Sequence, residues 1–508
     1  MTNFLKFFLF NIFILFLHSV SAQTVTHRIE ILNTDSLKFD KARGADLKLL
    51  YGHVSFRQDN VIMNCDSARF YSEANLFDAY SNIHILQGDS IDVWGDSLKY
   101  DGNIKLAQLR GKVKMRDKKM ILTTQNFDYD LRNNVGQYFN GGKIIDENNV
   151  LTSKIGKYLA KSKELFFKDQ VNLVNKDYKI ITDTLRYLTT THTAYFLGPT
   201  YVLSENSKLY SERGWYNTKT DIAQVEKKSY YVNKEKWLSG DSIYFDKRKG
   251  FGRAYRNVVI RDTTKHLAIK GNYAYYKEKP EYYLVTGKAV MEKEFNKDTL
   301  FLHADTLVGF MQDTAKKARI IKAYHKVRFF KSDIQGLCDS LVYLAKDSLI
   351  EMHQKPVIWS EKSQITGKEV KIQLKGSEID KVLINNAAFL VSQDKDTIQF
   401  NQVKGANMIA YFKNGSFYKL DVNKNGETLY FMKDGDALSG INKAICDNLV
   451  VYFKNEEVDE VVFKKDPTGT MFPAKQLHEI DLRLQDFKWL DAFRPVDRSD
   501  IFKWKVIP

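Results

Sequence analysis

The sequence predicts an all-β fold, an elongated antiparallel β-jelly-roll or β-solenoid of about 14 repeats with a short C-terminal helix. Three observations predict it. A short unit, exemplified by Gly95-Asp96-Ser97-Leu98-Lys99-Tyr100, recurs along the chain. Its copies anchor at Asp35, Asp66, Asp96, Gln125, Lys154, Asp183, Glu212, Asp241, Asn272, Asp305, Asp339, Lys368, Asn407 and Asp447, spaced 29 or 30 residues apart from Asp66 to Asp241. A fixed period of this size marks a repeat architecture. Around each anchor, apolar residues alternate with polar ones, the pattern of a strand with one buried face.

Each unit has internal rules. The residue before the anchor is always small, from Thr34 and Cys65 through Gly95 to Cys446. The fourth residue after it is aromatic in eleven of fourteen copies, where aromatics make up 13% of the chain; Gly309, Ile372 and Val451 interrupt the column. The alternation changes phase at the anchor: Ile91, Val93 and Gly95 are odd, whereas Leu98 and Tyr100 are even. A strand that keeps one face inward while its parity slips needs a bulge or corner there. A small residue permits the close approach, and an Asp or Asn side chain bonds local backbone. Each repeat is thus an anchor strand, a turn, a partner strand such as Arg110-Gly111-Lys112-Val113-Lys114-Met115, and a turn. Bent at the corners, the strands form two facing sheets with the aliphatic and aromatic columns inside.

In chain order, residues 1–22 read as a secretory signal. Lys6 is their only charge, residues 7–17 are apolar, and Val20-Ser21-Ala22 is a small-residue cleavage site. Residues 23–270 and 271–465 make up two parts of the repeat region, the second with looser spacing. Residues 466–508 form a tail holding four of the seven prolines, Pro467, Pro473, Pro495 and Pro508. Within it Leu477, Ile480, Leu484, Phe487 and Leu490 recur at helical spacing, which predicts an amphipathic helix over 474–492 that caps the last sheet edge. Proline is nearly absent before the tail, as a hydrogen-bonded ladder requires.

Composition narrows the function classes. The net charge is +15, or +14 once Lys6 is removed with the signal. The positive charge is interspersed with acidic residues and the chain is exported, so nucleic acid is excluded as a partner. The three cysteines, Cys65, Cys338 and Cys446, all occupy the small slot before an anchor and read as buried small residues, not as a disulfide or a metal site. Gly95-Asp96-Ser97-Leu98 spells an esterase signature, but the same slot recurs in every repeat, and no positioned base accompanies the serine. The ten histidines show no metal-ligand spacing. No phosphate-binding glycine loop is present. No catalytic residue, metal or cofactor is expected, and the chain is not read as an enzyme.

The units Cys65-Asp66-Ser67-Ala68-Arg69-Phe70, Gly95-Asp96-Ser97-Leu98-Lys99-Tyr100 and Gly240-Asp241-Ser242-Ile243-Tyr244-Phe245, with partner strands such as Gly111-Lys112-Val113, resemble the OstA-like (organic solvent tolerance) proteins of Gram-negative lipopolysaccharide transport. The resemblance covers nearly the whole exported chain, which departs from the short single-roll members by its length and its tail. It implies a β-jelly-roll groove that shields lipid acyl chains, a place in the periplasm or at the outer membrane, and a role in outer-membrane assembly. It also implies lipopolysaccharide or another lipid as ligand, and partners among the transport-bridge or outer-membrane translocon proteins, met through edge-strand pairing. The inward columns then supply the expected groove lining: Leu98, Tyr100, Leu185, Tyr187, Ile243, Phe245, Leu341 and Tyr343. The competing reading is an exported structural or adhesive β-repeat protein without a lipid ligand, its interior fully packed.

Overall fold

The computed structural model describes residues 28–506, apart from 40–45, 90, 296–297, 314–317, 377, 395–397, 414–415, 436, 455–456 and 476–481. The expected signal segment lies outside the described residues. The described chain is all-β and antiparallel. It forms two compact units, one running through Lys176 together with Arg186–Thr190, the other comprising Asp177–Leu185 and the residues from Thr191 onward.

In the first unit the strands Leu47–Gln58, Val61–Tyr71, Leu76–Gln87, Ile91–Asp101, Leu106–Asp117 and Met120–Asp130 each pair with the next. Every pair breaks register at the anchor. Gly95 and Ser97 lie opposite Ile83 and Tyr80, so Asp96 alone faces the two residues Ser81 and Asn82. Those two have positive φ, +64° and +50°. Two successive left-handed residues recur at the corners, as Gly52–His53, Gly111–Lys112, Asp169–Gln170, Lys227–Lys228, Arg256–Asn257, Gly287–Lys288, Asn386–Ala387 and Lys424–Asn425. The corner is therefore a paired event: a bulge residue on the anchor strand and a left-handed dipeptide on the partner strand.

The anchor side chain clasps that dipeptide across the ladder. Asn82 Nδ2 donates to Asp66 Oδ2 at 2.8 Å, Asn257 Nδ2 to Asp241 Oδ1 at 3.1 Å, and the backbone N–H of Lys112 to Gln125 Oε1 at 3.3 Å. His53 Nδ1 and Asp35 Oδ2 lie 2.7 Å apart; this hydrogen bond, with the carboxylate charge, raises the imidazole pKa. Gly111 shows why glycine is common in the slot: its φ is +78°, and a Cβ there would lie 2.5 Å from Asp96 Oδ2. The thirteenth copy is shifted by one residue. Asn407 pairs with Asn385 and Gly405 with Ala388, so Ala406 is the bulge residue. Ala410 is then inward and fully buried, and Tyr411, expected in the inward column, turns outward against Tyr418.

The corners fold each sheet into two limbs that face one another. Phe56, on one limb, stacks on Phe77 of the other with ring centroids 4.2 Å apart. Phe56, Met63, Phe77, Ile85 and Val93 are at most 1% exposed. Fully burying side chains of this size is worth about 1.5–3 kcal/mol each, so limb-to-limb packing is what holds the fold.

The expected helix over 474–492 is not present among the described residues. Residues 482–490 carry turns and extended backbone, followed by a short 3₁₀ turn at Asp491–Phe493. The apolar spacing arose from another cause. Leu484 and Leu490 are buried against the outer face of a sheet limb, where Phe389, Val391, Leu429, Phe431 and Ile441 receive the first and Leu337, Val357 and Trp359 the second. The backbone there is satisfied by strand side chains in place of helical bonds, as when Leu484 N–H donates to Gln402 Oε1 at 2.8 Å.

Candidate functional site

The interior between the limbs is the one place where the repeat brings its apolar columns together, and it differs along the chain. In the first unit it is closed. The inward aromatic column donates, copy after copy, to a polar residue ending the partner strand of the facing limb. Tyr100 Oη bonds Gln58 Oε1, Tyr129 Oη donates to Gln87 Oε1 at 2.6 Å, Tyr158 Oη bonds Asp117 Oδ2, and Tyr187 Oη donates to Asp146 Oδ2 at 3.2 Å. The acceptors repeat with the same 29- or 30-residue period as the donors. Gln58 and Gln87 also bind the backbone of the facing limb, donating to Gly102 O at 2.9 Å and Leu131 O at 3.2 Å. Lys163 Nζ reaches Asp117 Oδ2 at 2.5 Å and neutralises the buried carboxylate.

The result is a polar seam sealing an apolar interior. Burial pushes the Tyr138 phenol up to about 12, with its bond to Ser153 opposing the shift, and drives Tyr100, Tyr129 and Tyr158 higher still. These hydroxyls stay protonated and act as permanent donors. The seam has its own signal in the sequence, outside the anchor pattern: Gln58, Gln87, Asp117 and Asp146 are polar residues at the last inward position of a partner strand.

In the second unit, over 222–344, the seam does not continue among the described residues. Tyr216 Oη donates to Asp221 of its own hairpin at 2.7 Å, and the next member of the column is Phe245, which has no hydroxyl. The strands Ile222–Asn233, Lys236–Asp246, Phe251–Asp262, Leu267–Lys277 and Tyr282–Glu294 keep the corner positions Val225, Ile243, Ala254, Val258, Ala274 and Val285 buried. Farther out along the limbs, the inward residues Tyr231, Leu238, Phe245, Ile260, Ile269, Tyr276, Tyr283 and Met291 are only half-buried. Tyr231 and Phe245 still approach from opposite limbs, ring centroids 6.3 Å apart. The rows beside the corner are thus buried and those toward the limb ends only partly so, which leaves a partly accessible interior trough of aromatic and aliphatic side chains.

The eight expected lining residues divide accordingly. Leu98 and Tyr100 are 2% exposed, Leu185 and Tyr187 not at all, and Ile243 and Leu341 5% and 8%. Phe245 and Tyr343 are half-buried. The structure brings Phe245 beside Tyr231 and pairs Tyr343 with Ile321. Glycine at 252 and 309 opposite Phe245 and Tyr283 leaves room between the large side chains.

Other chemistry is sparse. The three cysteines are free and buried, and desolvation pushes the Cys65 thiol up to about 12, so it is held as an unreactive neutral group. Among the described residues no group of His, Cys, Asp and Glu could hold a metal ion. No described helix is long and apolar enough to cross a membrane. A hollow of ≈ 530 Å³ lined by residues including Tyr244, Phe251, Arg253, Tyr255 and Arg256 lies on the outer face, not in the trough.

Comparison with known proteins adds three findings. No curated protein matches the chain. Among solved structures it is similar to LptH from Pseudomonas aeruginosa, described as the LptA homologous periplasmic component of the conserved lipopolysaccharide transport device. The identity is 15%, the match covers 23% of this chain and 82% of that chain, and the TM-score is 0.21. Residues 26–183 match the family model described as OstA-like protein.

Proposed function

We propose that the protein is a periplasmic component of lipopolysaccharide transport and outer-membrane assembly, and that its lipid-holding segment is the trough over 222–344. The OstA-like match supports the class. The observation that carries the assignment to this segment is the change from fully buried to half-buried inward side chains where the tyrosine seam stops. A trough walled by Tyr231, Phe245, Ile269, Tyr276 and Tyr343 supplies what an acyl chain needs. Each methylene taken from water into it is worth about 0.8 kcal/mol, and no catalytic group is required. Ile243 and Leu341 form its floor. Leu98, Tyr100, Leu185 and Tyr187 would meet lipid only if the limbs around them part.

Partners would dock on the sheet edges. The first described strands, Glu30–Asn33 and Ser36–Phe39, both pair with Leu47–Gln58 and expose Leu32, Leu37 and Phe39 by 41%, 49% and 50%. An edge of this kind is a template for a further strand from another protein. The alternative, a structural β-repeat protein without a lipid ligand, has the sealed interior of the first unit in its favour.

The test is a photo-crosslinking amino acid placed singly at Phe245, Tyr343 and Tyr129 in cells. Capture of lipopolysaccharide at 245 and 343 but not at 129 is the expected result. Capture at none of the three, with the protein folded and exported, sinks the carrier reading and leaves the structural one.

A further inference from the structure

On one limb of the second unit the strands are apolar on both faces. Inward positions such as Ala388, Leu390, Val382 and Ile384 fill the interior, while Phe389 and Val391 point out, together with Trp359, Leu429 and Phe431. An outward apolar strip on a sheet needs a cover. Residues 482–494 provide it, running across the strands and outside the ladder.

The way this segment is held has the anatomy of a peptide in a receptor. Gln402 donates to Leu482 O at 2.9 Å and accepts from Leu484 N–H at 2.8 Å. Six residues on, Gln364 does the same, donating to Lys488 O at 2.7 Å and accepting from Leu490 N–H at 2.7 Å. Both glutamines are 1% exposed. Each side-chain amide thus reads the backbone of residues i and i+2 as a neighbouring strand would. A third glutamine, Gln335, accepts from Arg494 Nε at 2.7 Å, and Arg328 donates to Phe493 O at 2.8 Å. Leu484 and Leu490 are buried, Phe487 and Trp489 are half-buried, and Arg483, Gln485, Asp486 and Lys488 are exposed. Buried anchors separated by solvated residues characterise an interface more than a core.

Phe472, at the end of the last strand, pairs with Ile441, and Leu484 packs in the same cluster as Ile441. Eleven residues separate Phe472 from Leu484, a length of chain that can span up to roughly 36 Å. The segment can lift without breaking any ladder.

We propose that this outer strip is a docking site for an extended peptide and that it also takes residues 482–494 of a second copy of this chain, in exchange for the cis segment. The cis segment holds the site in a lone molecule because its effective concentration is high, and exchange between copies gives a dimer with no new contact. This proposal is independent of the lipid trough.

Complementary full-length variants test it. Leu484→Asp with Leu490→Asp spoils the segment and leaves a vacant strip; Gln364→Ala with Gln402→Ala spoils the strip and leaves a free segment. Each variant alone is expected to be monomeric by light scattering, and their mixture to form a 1:1 heterodimer. No heterodimer from two folded variants overturns the proposal. As a second measurement, the full chain is cut at a protease site substituted within 475–480, then titrated with a fluorescent peptide of residues 482–505. Saturable exchange, weakened at least tenfold in the glutamine variant, supports a separable ligand. A cut segment that never exchanges, or whose release unfolds the strands beneath, shows an integral part of the core and refutes it.

Discussion

Replacing Lys163 by Met tests the sealed interior where its charges are most exacting. Asp117 is 4% exposed, and its carboxylate is met by the Tyr158 hydroxyl and by Lys163 Nζ at 2.5 Å. Removing one partner of a buried ion pair costs about 3–5 kcal/mol. The Lys163 side chain is 30% accessible, so water shares its head group, and the cost falls to about 1–3 kcal/mol. The effect is local, because the bond joins two limbs of one unit. Hydrogen exchange followed by mass spectrometry should show it as faster opening of Leu106–Asp117 and Ile155–Leu159, by roughly tenfold for each 1.4 kcal/mol. Adding Asp117→Asn should restore most of the protection, since a neutral amide needs no cation. Unchanged exchange in both strands of the single variant would refute the claim that this clasp holds the limbs together.

Two further outcomes follow from the corners and the seam. Gly111→Ala should destabilise the first unit by about 1–2 kcal/mol, from its left-handed φ and the displaced Asp96, measured as a shifted chemical-denaturation midpoint. The cost stays moderate because Ser81 carries a side chain at the equivalent place with φ +64°. The unit should also weaken in alkali. An unfolded tyrosine ionises near pH 10, whereas Tyr138 is held up to about 12 and Tyr100, Tyr129 and Tyr158 beyond it. The raised folded-state pKa means full stability below pH 10 and a loss of up to about 1.4 kcal/mol per pH unit per tyrosine above it. Phenolate absorbance rising together with loss of β circular dichroism checks this; titration near pH 10 in a folded protein would contradict the burial.

The repeat, its antiparallel strands and its corners were legible in the residues because each depends on neighbours in sequence. The small slot, the anchor and the change of parity are local steric requirements. The left-handed dipeptide was half visible, as in Gly111-Lys112 before Val113, but Lys227-Lys228 and Asn386-Ala387 do not announce positive φ. Tyr411 was misplaced because a single-residue shift of the bulge, from Asn407 to Ala406, moves the whole following segment to the other face. The tail helix was read from a spacing that an extended chain pinned at Leu484 and Leu490 produces equally well. Whether an inward Tyr or Phe is sealed in or lines an open wall depends on the distance between limbs. That distance is set by pairs such as Tyr129 and Gln87, 42 residues apart, and no local pattern encodes it.

The paired corner also bears on how such a chain changes length. Bulge residue and left-handed dipeptide sit on adjacent strands, so each bend is completed by its immediate neighbours and asks nothing of strands farther away. Stability then accumulates as a sum of nearest-neighbour terms. Whole 29- or 30-residue modules could be gained or lost by duplication or deletion without refitting the rest. Length is free to drift under selection, while each tyrosine and its acceptor must stay matched across modules, because donor and acceptor belong to different repeats, as Tyr129 and Gln87 do.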